Sequence, residues 1–538
     1  MPIANPLGMG DADLIELGLA ALLAALALVW RPWLEPYAAR LAQKPVWSVL
    51  LLAALPVALR LLLLPHHPAP VPDIYDEFSH LLAADTLRHF RLANPAHPFD
   101  RFFETFFVLQ EPTYSSIYPV GQGAALALGW MIFGTPWAGV LLPVAALCAL
   151  CYWMLRGWTT PGWALTGGLV AVMEFGPLNQ WMNGYWGGAL PAAAGCLIFG
   201  ALPRLRRGGG LRDGVLLGAG LAIHLLTRPY ESVYLALCVT LFLLPVWRRV
   251  TRPLLAAALV VLPAIGLTLL QNRQVTGSWM TLPYALSQYQ YGVPAALTLR
   301  ANPVPHRELT REQELDYKMQ LSFRGDRAET VGSYLLRLAY RIRYYRFFFM
   351  PPLYVALPFF FAALRRQWFV WVVVCPLIFA LGVNFFPAFQ YHYMAGVTCL
   401  FVLIGVTGLE QLSRFSELAA RIVVSLCIAQ FAFEYGLHVL SNDPWSLALR
   451  NPERRVAVNR QLAQAPGKQL VFVRYWPRHI FQDEWVYNAA DIDGARVVWA
   501  RDLGAAEDEK LRRYYPDRAV WLLEPDARPP RLTAYVGQ

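Results

Sequence analysis

The sequence between residues 46 and 64 is VWSVLLLAALPVALRLLLL, in which Arg60 is the single charged residue. An α-helix of about this length crosses the hydrocarbon layer of a bilayer. Thirteen such apolar runs occur, to within a few residues, at 14–31, 46–64, 119–133, 137–155, 161–176, 186–203, 212–227, 231–247, 253–271, 344–364, 368–384, 393–409 and 421–440. With 57% hydrophobic and 15% charged residues, the chain is predicted to be an all-α polytopic membrane protein with about 12–13 membrane segments.

The first apolar run is predicted to be a membrane helix and not a signal peptide, because Asp11, Asp13 and Glu16 precede or open it where a signal peptide carries basic residues. Residues 1–45 are therefore expected to form an extra N-terminal membrane helix and a cytoplasmic loop, ahead of a transmembrane domain at 46–440. All seven cysteines lie within apolar runs and are interpreted as packing residues.

Arginines set the predicted orientation. They cluster in short connections around Arg40, Arg204, Arg248 and Arg365, which the positive-inside rule assigns to the cytoplasm. These clusters account for the net charge of +10, so no nucleic-acid partner is expected.

Counting crossings from those connections places the loops 65–118 and 272–343 and the tail 441–538 on the extracytoplasmic side. The first outer loop and the Arg204 cluster fall on opposite sides of the membrane only if one apolar segment between them does not cross it. The short run 119–133 is predicted to be that partial segment. The lack of eukaryotic targeting signals indicates a bacterial inner membrane.

The tail differs in composition from the rest of the chain. Short β-rich runs at 468–475, 495–499 and 519–523 accompany a predicted helix at 504–514. A small extracytoplasmic α/β domain at 441–538 is therefore expected. The sequence contains no GxxxxGK[ST] phosphate-binding loop, which disfavours ATP-driven transport.

An acidic cluster follows the second apolar run. Asp73, Asp76, Glu77, His80 and Asp85 fall within thirteen residues, and their spacing predicts an interfacial helix with a polar face. Carboxylates held at a membrane surface are partly desolvated, which raises their pKa and suits them to accept a proton from a hydroxyl or amine. A solvated acidic loop is the alternative interpretation.

Histidines and carboxylates in this loop also allow a divalent metal ion, but their spacing matches no fixed ligand pattern. The ligands are therefore unknown, no cofactor is certain, and Asp76, Glu77 and His80 are the candidates. The phenylalanines of 99–107 predict a second amphipathic helix in the membrane interface. In the loop 272–343, tyrosines and a mixed-charge helix at 310–318 indicate either a lid over a cavity or a plain surface excursion.

Four short elements, taken in order, resemble the GT-C glycosyltransferases, a superfamily that includes aminoarabinose and protein O-mannosyl transferases. The corresponding elements of that superfamily are an acidic pair in the first outer loop, a proline-aromatic stretch that opens an apolar run, a basic residue at an outer helix end and the entry to a late helix. In chain order these are Tyr75-Asp76-Glu77, Gln110 to Pro119, Leu226-Thr227-Arg228-Pro229 and Gln390-Tyr391-His392-Tyr393.

The resemblance covers roughly residues 46 to 410. Many members place an aspartate after their fourth helix, where this chain has Asn183, Tyr185 and Trp186 instead. This departure puts a second acidic contact to the acceptor in doubt.

The resemblance implies an inverting glycosyltransferase at the extracytoplasmic face, with membrane lipids around it, a polyprenyl-phosphate sugar donor and a lipid, glycan or protein acceptor. Asp76 would be the general base, assisted by Glu77. Arg228, His392 and Tyr393 would bind the donor phosphate. Further residues expected to line the substrates are Asp73, His80, Tyr114, Tyr118, Asn183, Tyr185, Trp186, Glu231 and Gln390.

From the residues alone, Arg228 could instead pair with Glu231 or extend to the lipid headgroups. His392 could likewise be a satisfied interfacial histidine beside Tyr391 and Tyr393. A secondary transporter is a second possibility for the whole chain, although no internal repeat is visible and few ionisable residues fall within the apolar runs, chiefly Arg60, Glu174 and His224. A non-enzymatic protein of cell-envelope polymer assembly or export could also use a large outer loop and a soluble tail. The sugar, the acceptor and the oligomeric state stay open.

Overall fold

The computed structural model describes residues 10–325 and 329–535. Every predicted apolar run lies in helical structure. The α-helices are α1 (Asp11–Ala42), α2 (Pro45–Leu62), α3 (Tyr75–Arg88), α4 (Val120–Phe133), α5 (Ala138–Leu155), α6 (Pro161–Phe175), α7 (Ala189–Arg206), α8 (Leu211–Thr227), α9 (Pro229–Leu243), α10 (Thr251–Thr276), α11 (Pro283–Tyr291), α12 (Arg311–Arg324), α13 (Val331–Arg341), α14 (Gln367–Val383), α15 (Thr398–Phe415), α16 (Glu417–Leu440), α17 (Glu453–Gln464) and α18 (Ala505–Tyr514).

Six helical stretches in the described part of the chain are long and apolar enough to cross a membrane by themselves. They are Pro45–Leu62, Ala138–Leu155, Pro229–Arg249, Thr251–Thr276, Tyr391–Phe415 and Glu417–Leu440. The shorter helices α4 and α14 are also apolar. The all-α polytopic membrane class predicted from the sequence is confirmed.

The run 344–364 does not form the regular membrane helix that its composition predicts. It is built from 3-10 segments at Ile342–Phe348, Pro351–Val355 and Leu357–Arg365. Pro351 and Pro352 lie within this stretch, and each proline lacks the N–H donor that an α-helix uses. The predicted helix is therefore wrong in its geometry, although the segment stays helical.

The arginine-rich connections meet at one end of the helix bundle. Arg156 Nη1 donates to the carbonyl of Ala42 at 3.3 Å, and Arg204 Nη2 donates to the carbonyl of Trp153 at 2.8 Å. Arg207 Nη1 donates to the carbonyl of Gly157 at 2.9 Å. The connections that follow α1 and α7 thus share one end of the bundle, and the opposite end carries α3 and the 228 turn.

Both ends of α4 lie at the end of the bundle that carries α3. A Cβ on Gly121, at its start, would lie 2.7 Å from the Leu226 carbonyl oxygen at the end of α8. Just beyond its last turn, Trp137 Nε1 donates to the carbonyl of Met182 at 3.1 Å, and the Arg60 guanidinium lies 4.9 Å from the Trp137 ring centre. A helix of 14 residues spans only about 21 Å. These contacts agree with the predicted partial segment.

Glycines allow the late helix entry to approach the bundle core. A Cβ on Gly195 of α7 would lie 2.1 Å from the carbonyl oxygen of Gly396, and a Cβ on Gly396 would lie 2.5 Å from His224 Nε2. Small residues at such contacts let membrane helices pack backbone to backbone. The close approach places the 3-10 turn Tyr391–Val397 beside α7 and α8.

The tail forms a four-stranded sheet in the order β5-β4-β6-β7. Its central strand β4 (Lys468–Val473) is parallel to β5 (Val497–Arg501) and β6 (Arg518–Glu524), and β7 (Arg531–Ala534) is antiparallel to β6. The predicted β runs and the helix now called α18 are confirmed, whereas α17 and β7 were not predicted. The first outer loop adds the short strands β1 (Asn94–Pro95), β2 (Val108–Leu109) and β3 (Thr113–Ser116).

The first outer loop packs directly against the tail. Phe102 and Phe103 are buried in one apolar cluster with Leu470 and Phe472 of β4. The predicted amphipathic helix over 99–107 is wrong, because only a 3-10 turn at Asp100–Phe103 forms. The tail covers Phe102 and Phe103, and the loop 272–343 covers Phe107. Their apolar pattern therefore reflects an internal interface and not a membrane surface.

Buried ion pairs link the two outer loops to the tail. Arg501 of β5 donates from Nη1 to Glu312 of α12 at 2.6 Å, from Nη2 to Glu484, and from Nε to the carbonyl of Glu104 at 2.7 Å. Arg307 contacts Glu104 through Nε at 2.6 Å and also reaches two further carboxylates of the first loop. The loops 65–118 and 272–343 are therefore held together beneath the tail.

We expect Arg501→Met to lower the free energy of unfolding by about 3–5 kcal/mol, because Glu312 and Glu484 would remain buried without their cation. Thermal unfolding and limited proteolysis of the purified protein would measure the change. The matched control is Arg101→Gln, whose exposed pair with Glu308 contributes within about 1 kcal/mol. Equal effects of the two substitutions would contradict the role assigned to Arg501.

Candidate active site

The first turn of α3 is fixed by a carboxylate. Glu77 Oε2 accepts hydrogen bonds from the backbone N–H of Asp73 at 2.9 Å and of Ile74 at 3.2 Å, as the third residue of a helix does in a capping box. Acidic side chains in a first turn are also favoured by the helix dipole. The spacing of the acidic pair therefore both starts the helix and places Asp76 at its N-terminal end.

Glu77 also fixes the turn between α6 and α7. Its Oε1 accepts a hydrogen bond from the backbone N–H of Tyr185 at 2.7 Å. Burial raises the pKa of Glu77 to about 7, although the three backbone N–H groups oppose this rise. Both oxygens are thus engaged with backbone, and the geometry gives Glu77 a positioning role beside its predicted assistance in catalysis.

Asp76 is buried at the end of α3 and accepts a hydrogen bond from the Tyr118 hydroxyl at Oδ1. Burial raises its pKa to about 6, while hydrogen bonds from Tyr118 and Trp186 and the positive charge of Arg228 oppose the rise. The first outer loop, the turn after α6 and the end of α8 therefore meet at this carboxylate.

Arg228 lies between α8 and α9, and its guanidinium is 5.6 Å from the centre of the Tyr393 ring. Among the described residues, no carboxylate oxygen lies within 4.0 Å of the Arg228 guanidinium nitrogens, which is the limit for an ion pair. Glu231 is buried nearby, and its charge interacts with that of Arg228 without such a contact. The alternative of a direct pair between Arg228 and Glu231 is thus not what the structure contains.

Aromatic rings surround the space between Asp76 and Arg228. The His80 ring stacks on Tyr118 with centroids 4.2 Å apart, and the His392 ring lies 5.0 Å from that of Trp186. Burial lowers the pKa of His80 to about 3, with Arg228 adding to the effect, so His80 is neutral at physiological pH. His80 Nδ1 is buried and has no hydrogen-bond partner among the described residues.

Three residues predicted to line the substrates are bound elsewhere. The Tyr114 hydroxyl donates to the carbonyl of Asn488 in the tail at 3.0 Å, and the Tyr185 hydroxyl donates to the carbonyl of Pro70 at 2.9 Å. Asn183 Oδ1 accepts from Arg60 Nε at 2.6 Å. Their polar groups hold loops in place, and the absence of a second aspartate at the Asn183 turn fits this structural role.

The remaining predicted residues lie around the margin. Asp73 is half-buried, and burial raises its pKa although the charges of Arg450 and Arg455 oppose the rise. Because both arginines belong to the tail, the Asp73 carboxylate lies near the tail. Gln390 is half-buried at the start of the 3-10 turn that carries His392.

The loop 272–343 contributes two residues that sequence analysis did not select for the site. Asp316 of α12 is fully buried, and its Oδ2 accepts from Gln320 Nε2 at 2.8 Å, whereas Oδ1 has no partner among the described residues. Burial raises the pKa of Asp316 to about 7, and the charge of Asp76 adds to the rise. Tyr284 of α11 is close enough to interact with Asp76 and Arg228 as well.

The helical spacing at 310–318 predicts α12, but nothing in that spacing distinguishes Asp316 from its acidic neighbours. Only the packing of α12 over the first outer loop reveals that the Asp316 carboxyl is buried. The aromatic cluster that includes Tyr284 was the signal in the sequence for a lid. The structure places Tyr284 close to Asp76 and Arg228.

The predicted metal candidates do not form a ligand set. Among residues 10–325 and 329–535, no group of three or more His, Cys, Asp or Glu side chains is arranged to hold a metal ion. Both Glu77 oxygens accept backbone hydrogen bonds, and the His80 ring is stacked. The residues as arranged do not fit a divalent ion, so no chemical step is assigned to one.

Three solved structures are similar to this chain. ArnT from Cupriavidus metallidurans in the apo state has a TM-score of 0.51 and 11% identity, covering 88% of this chain and 92% of that chain. The same protein bound to undecaprenyl phosphate has a TM-score of 0.49 and 12% identity over the same shares. The archaeal oligosaccharyltransferase AglB from Archaeoglobus fulgidus, in complex with an inhibitory peptide and a dolichol-phosphate, has a TM-score of 0.41 and 11% identity, covering 91% and 70%.

No protein-family model and no curated protein sequence matches the chain. The similarity to apo ArnT, which extends over most of both chains, shows that this protein has the GT-C fold. The family resemblance inferred from four short motifs is therefore confirmed at the level of the fold.

We expect Glu77→Gln to lower the free energy of unfolding by about 2 kcal/mol, because an amide offers one acceptor oxygen where three backbone N–H groups converge. Thermal unfolding would measure the loss. The control is Asp76→Asn, which keeps an acceptor for Tyr118 and removes a buried charge, so its melting temperature should stay equal or rise. A Glu77→Gln protein as stable as the native one would contradict the positioning role.

Proposed function

We propose that the protein is an integral-membrane glycosyltransferase that moves a sugar from a polyprenyl-phosphate-linked donor to an acceptor at the extracytoplasmic face. The observation that carries the proposal is the meeting of a buried carboxylate, Asp76, with an arginine, Arg228, that has no carboxylate ion pair in the described chain. A base beside an available cation suits a reaction that removes a proton and releases an anion. The GT-C fold supports the same class of reaction.

Asp76 is the proposed general base. With a pKa raised to about 6, it is ionised at neutral pH and still basic enough to accept a proton from an acceptor hydroxyl or amine. The Tyr118 hydroxyl donates to Oδ1, and the acceptor would approach the carboxylate at Oδ2. As the nucleophile bonds to the anomeric carbon, its proton passes to Asp76 and the carbon–oxygen bond to the donor phosphate breaks.

Arg228 is the proposed site for the departing polyprenyl phosphate. The electron pair of the broken bond stays on a phosphate oxygen, and a guanidinium can bind such oxygens through two parallel hydrogen bonds. Tyr393 lies against the guanidinium, and His392 precedes it on the same turn. Attack from the side of Asp76 with departure toward Arg228 would invert the anomeric centre.

We interpret the loop 272–343 as a cover over the candidate active site, and such a cover supports the proposal. Tyr284 and the buried Asp316 come from α11 and α12, which lie over the first outer loop and beneath the tail. Covering the site would keep water from competing with the acceptor. The lid interpretation is thus preferred to a plain surface excursion.

Arg60 and His224, two of the three ionisable residues named within the apolar runs, give the transporter alternative no support. Arg60 is buried and bound to Asn183, to the carbonyl of His67 at 3.0 Å and to that of Pro68 at 2.9 Å. His224 Nδ1 is within 2.7 Å of Ser232 Oγ. Both side chains are engaged in local structure and do not form a pathway.

Replacing Asp76 by Asn should lower sugar transfer by about 10²–10⁴-fold, because the base is lost while its shape is kept. Arg228→Gln should lower it by about 10²–10³-fold through loss of leaving-group stabilisation. Both variants would be purified, reconstituted with radiolabelled polyprenyl-phosphate sugars and bacterial envelope acceptors, and assayed for labelled product. The exposed Glu308 in the outer loop provides the control Glu308→Gln, which should transfer at the native rate. Full activity of Asp76→Asn would remove Asp76 as the base.

The pH dependence of kcat/KM should show an acid limb at about pH 6, with transfer rising as Asp76 loses its proton. Tyr118→Phe removes a hydrogen bond that favours the carboxylate, so the pKa should rise and the limb should move to higher pH. Initial rates between pH 5 and 8 would measure the shift. A limb that stays in place in Tyr118→Phe would assign it to another group.

A further inference from the structure

A cavity of about 460 Å³ opens at the end of the bundle opposite Asp76. It lies between the start of α6, the 3-10 segment Leu357–Arg365, the start of α14 and the end of α15. The residues of α15 that line the cavity begin at Thr407, whereas the helix begins at Thr398 beside the 3-10 turn of His392. The cavity is therefore at least about 14 Å along the helix from that turn. Its polar lining includes Thr159, Arg365, Arg366, Thr407, Glu410 and Arg414.

The charges around this cavity leave an excess of two positive groups. The Glu410 carboxylate accepts from Arg414 Nη2 at 2.9 Å and from Thr159 Oγ1 at 2.8 Å, so it is paired with one cation. In the part of the chain that the structure describes, Arg365 and Arg366 form no ion pair with a carboxylate. The mouth of the cavity is therefore suited to an anion.

A buried hydroxyl in the wall gives independent support for a ligand. Thr407 is 1% exposed, and its Oγ1 has no hydrogen-bond partner among the described residues. Threonines within the other helices, such as Thr166 and Thr268, donate to the carbonyl four residues earlier, at 3.2 and 3.0 Å. Thr407 is one of the residues that line the cavity, and its hydroxyl lacks that bond.

The walls and the location indicate what kind of anion fits. Trp158, Ala363 and Phe369 form apolar surface beside the two arginines, and the volume exceeds the roughly 30 Å³ of one water molecule many times over. Basic pockets between membrane helices on the cytoplasmic side bind the head groups of anionic phospholipids. This end of the bundle is the one that the arginine clusters assign to the cytoplasm.

We propose that this cavity is a phosphate site occupied by the head group of an anionic membrane phospholipid. Arg365 and Arg366 bind the phosphate oxygens, Thr407 donates a hydrogen bond, and the apolar wall contacts the glycerol and the first acyl carbons. The site is separate from the proposed transfer reaction and does not depend on it.

The test measures lipid binding to the detergent-purified, delipidated full chain by native mass spectrometry with phosphatidylglycerol. Arg365→Gln combined with Arg366→Gln should weaken the tightest lipid site about 30-fold, at about fivefold per arginine near the surface. Thr407→Val, which keeps the shape and removes the hydroxyl, should weaken it about 5-fold. The matched control is Arg248→Gln with Arg249→Gln, an exposed pair outside the cavity lining, which should leave the tightest site unchanged.

Two further ligands distinguish the sources of the phosphate. Weak binding of inorganic phosphate and of glycerol phosphate, with tight binding of phosphatidylglycerol that depends on Arg365, Arg366 and Thr407, supports the lipid. Tight binding of the soluble phosphates with the same dependence overturns the lipid as occupant. Equal weakening by the cavity pair and the control pair, or no effect of Thr407→Val, overturns the site itself.

Discussion

The acceptance of three backbone hydrogen bonds by Glu77 is the constraint on which the candidate active site depends. This one carboxylate starts α3 through Asp73 and Ile74 and ties the turn before α7 to it through Tyr185. Asp76 is the adjacent residue, so the same bonds fix where its side chain enters the protein. Burying two neighbouring carboxylates is costly, and the backbone donors and Arg228 offset part of that cost.

The tail and the outer loops are stabilised together by contacts that no single segment could make. Arg501 needs carboxylates from both α12 and the tail, and Phe102 and Phe103 need the apolar face of β4. A buried arginine with two carboxylate partners is sensitive to the loss of any one of them. The cover of the site therefore depends on residues that lie far from Asp76 in the chain.

Much of the membrane architecture was predictable because length and apolar composition determine a crossing helix almost without regard to neighbours. The run 344–364 was an exception, since its prolines change helix geometry without changing apolar character. The acidic helix and Arg228 could be selected because they lie beside apolar runs, where polar groups are expensive. The phenylalanines of 99–107 could not be interpreted correctly, because an apolar stripe covered by protein looks the same in sequence as one covered by lipid. Asp316 was missed for a related reason: its burial comes from packing between distant segments.

Three carboxyl groups around the site, Asp76, Glu77 and Asp316, have pKa values raised to about 6, 7 and 7. Near neutral pH these groups are partly protonated, so their combined charge changes with small changes in pH. A phosphate-bearing donor adds negative charge and would draw protons onto Glu77 and Asp316 as it enters. Donor binding would then be coupled to proton uptake, and the affinity of the protein for such a donor would fall as the surrounding medium becomes more alkaline.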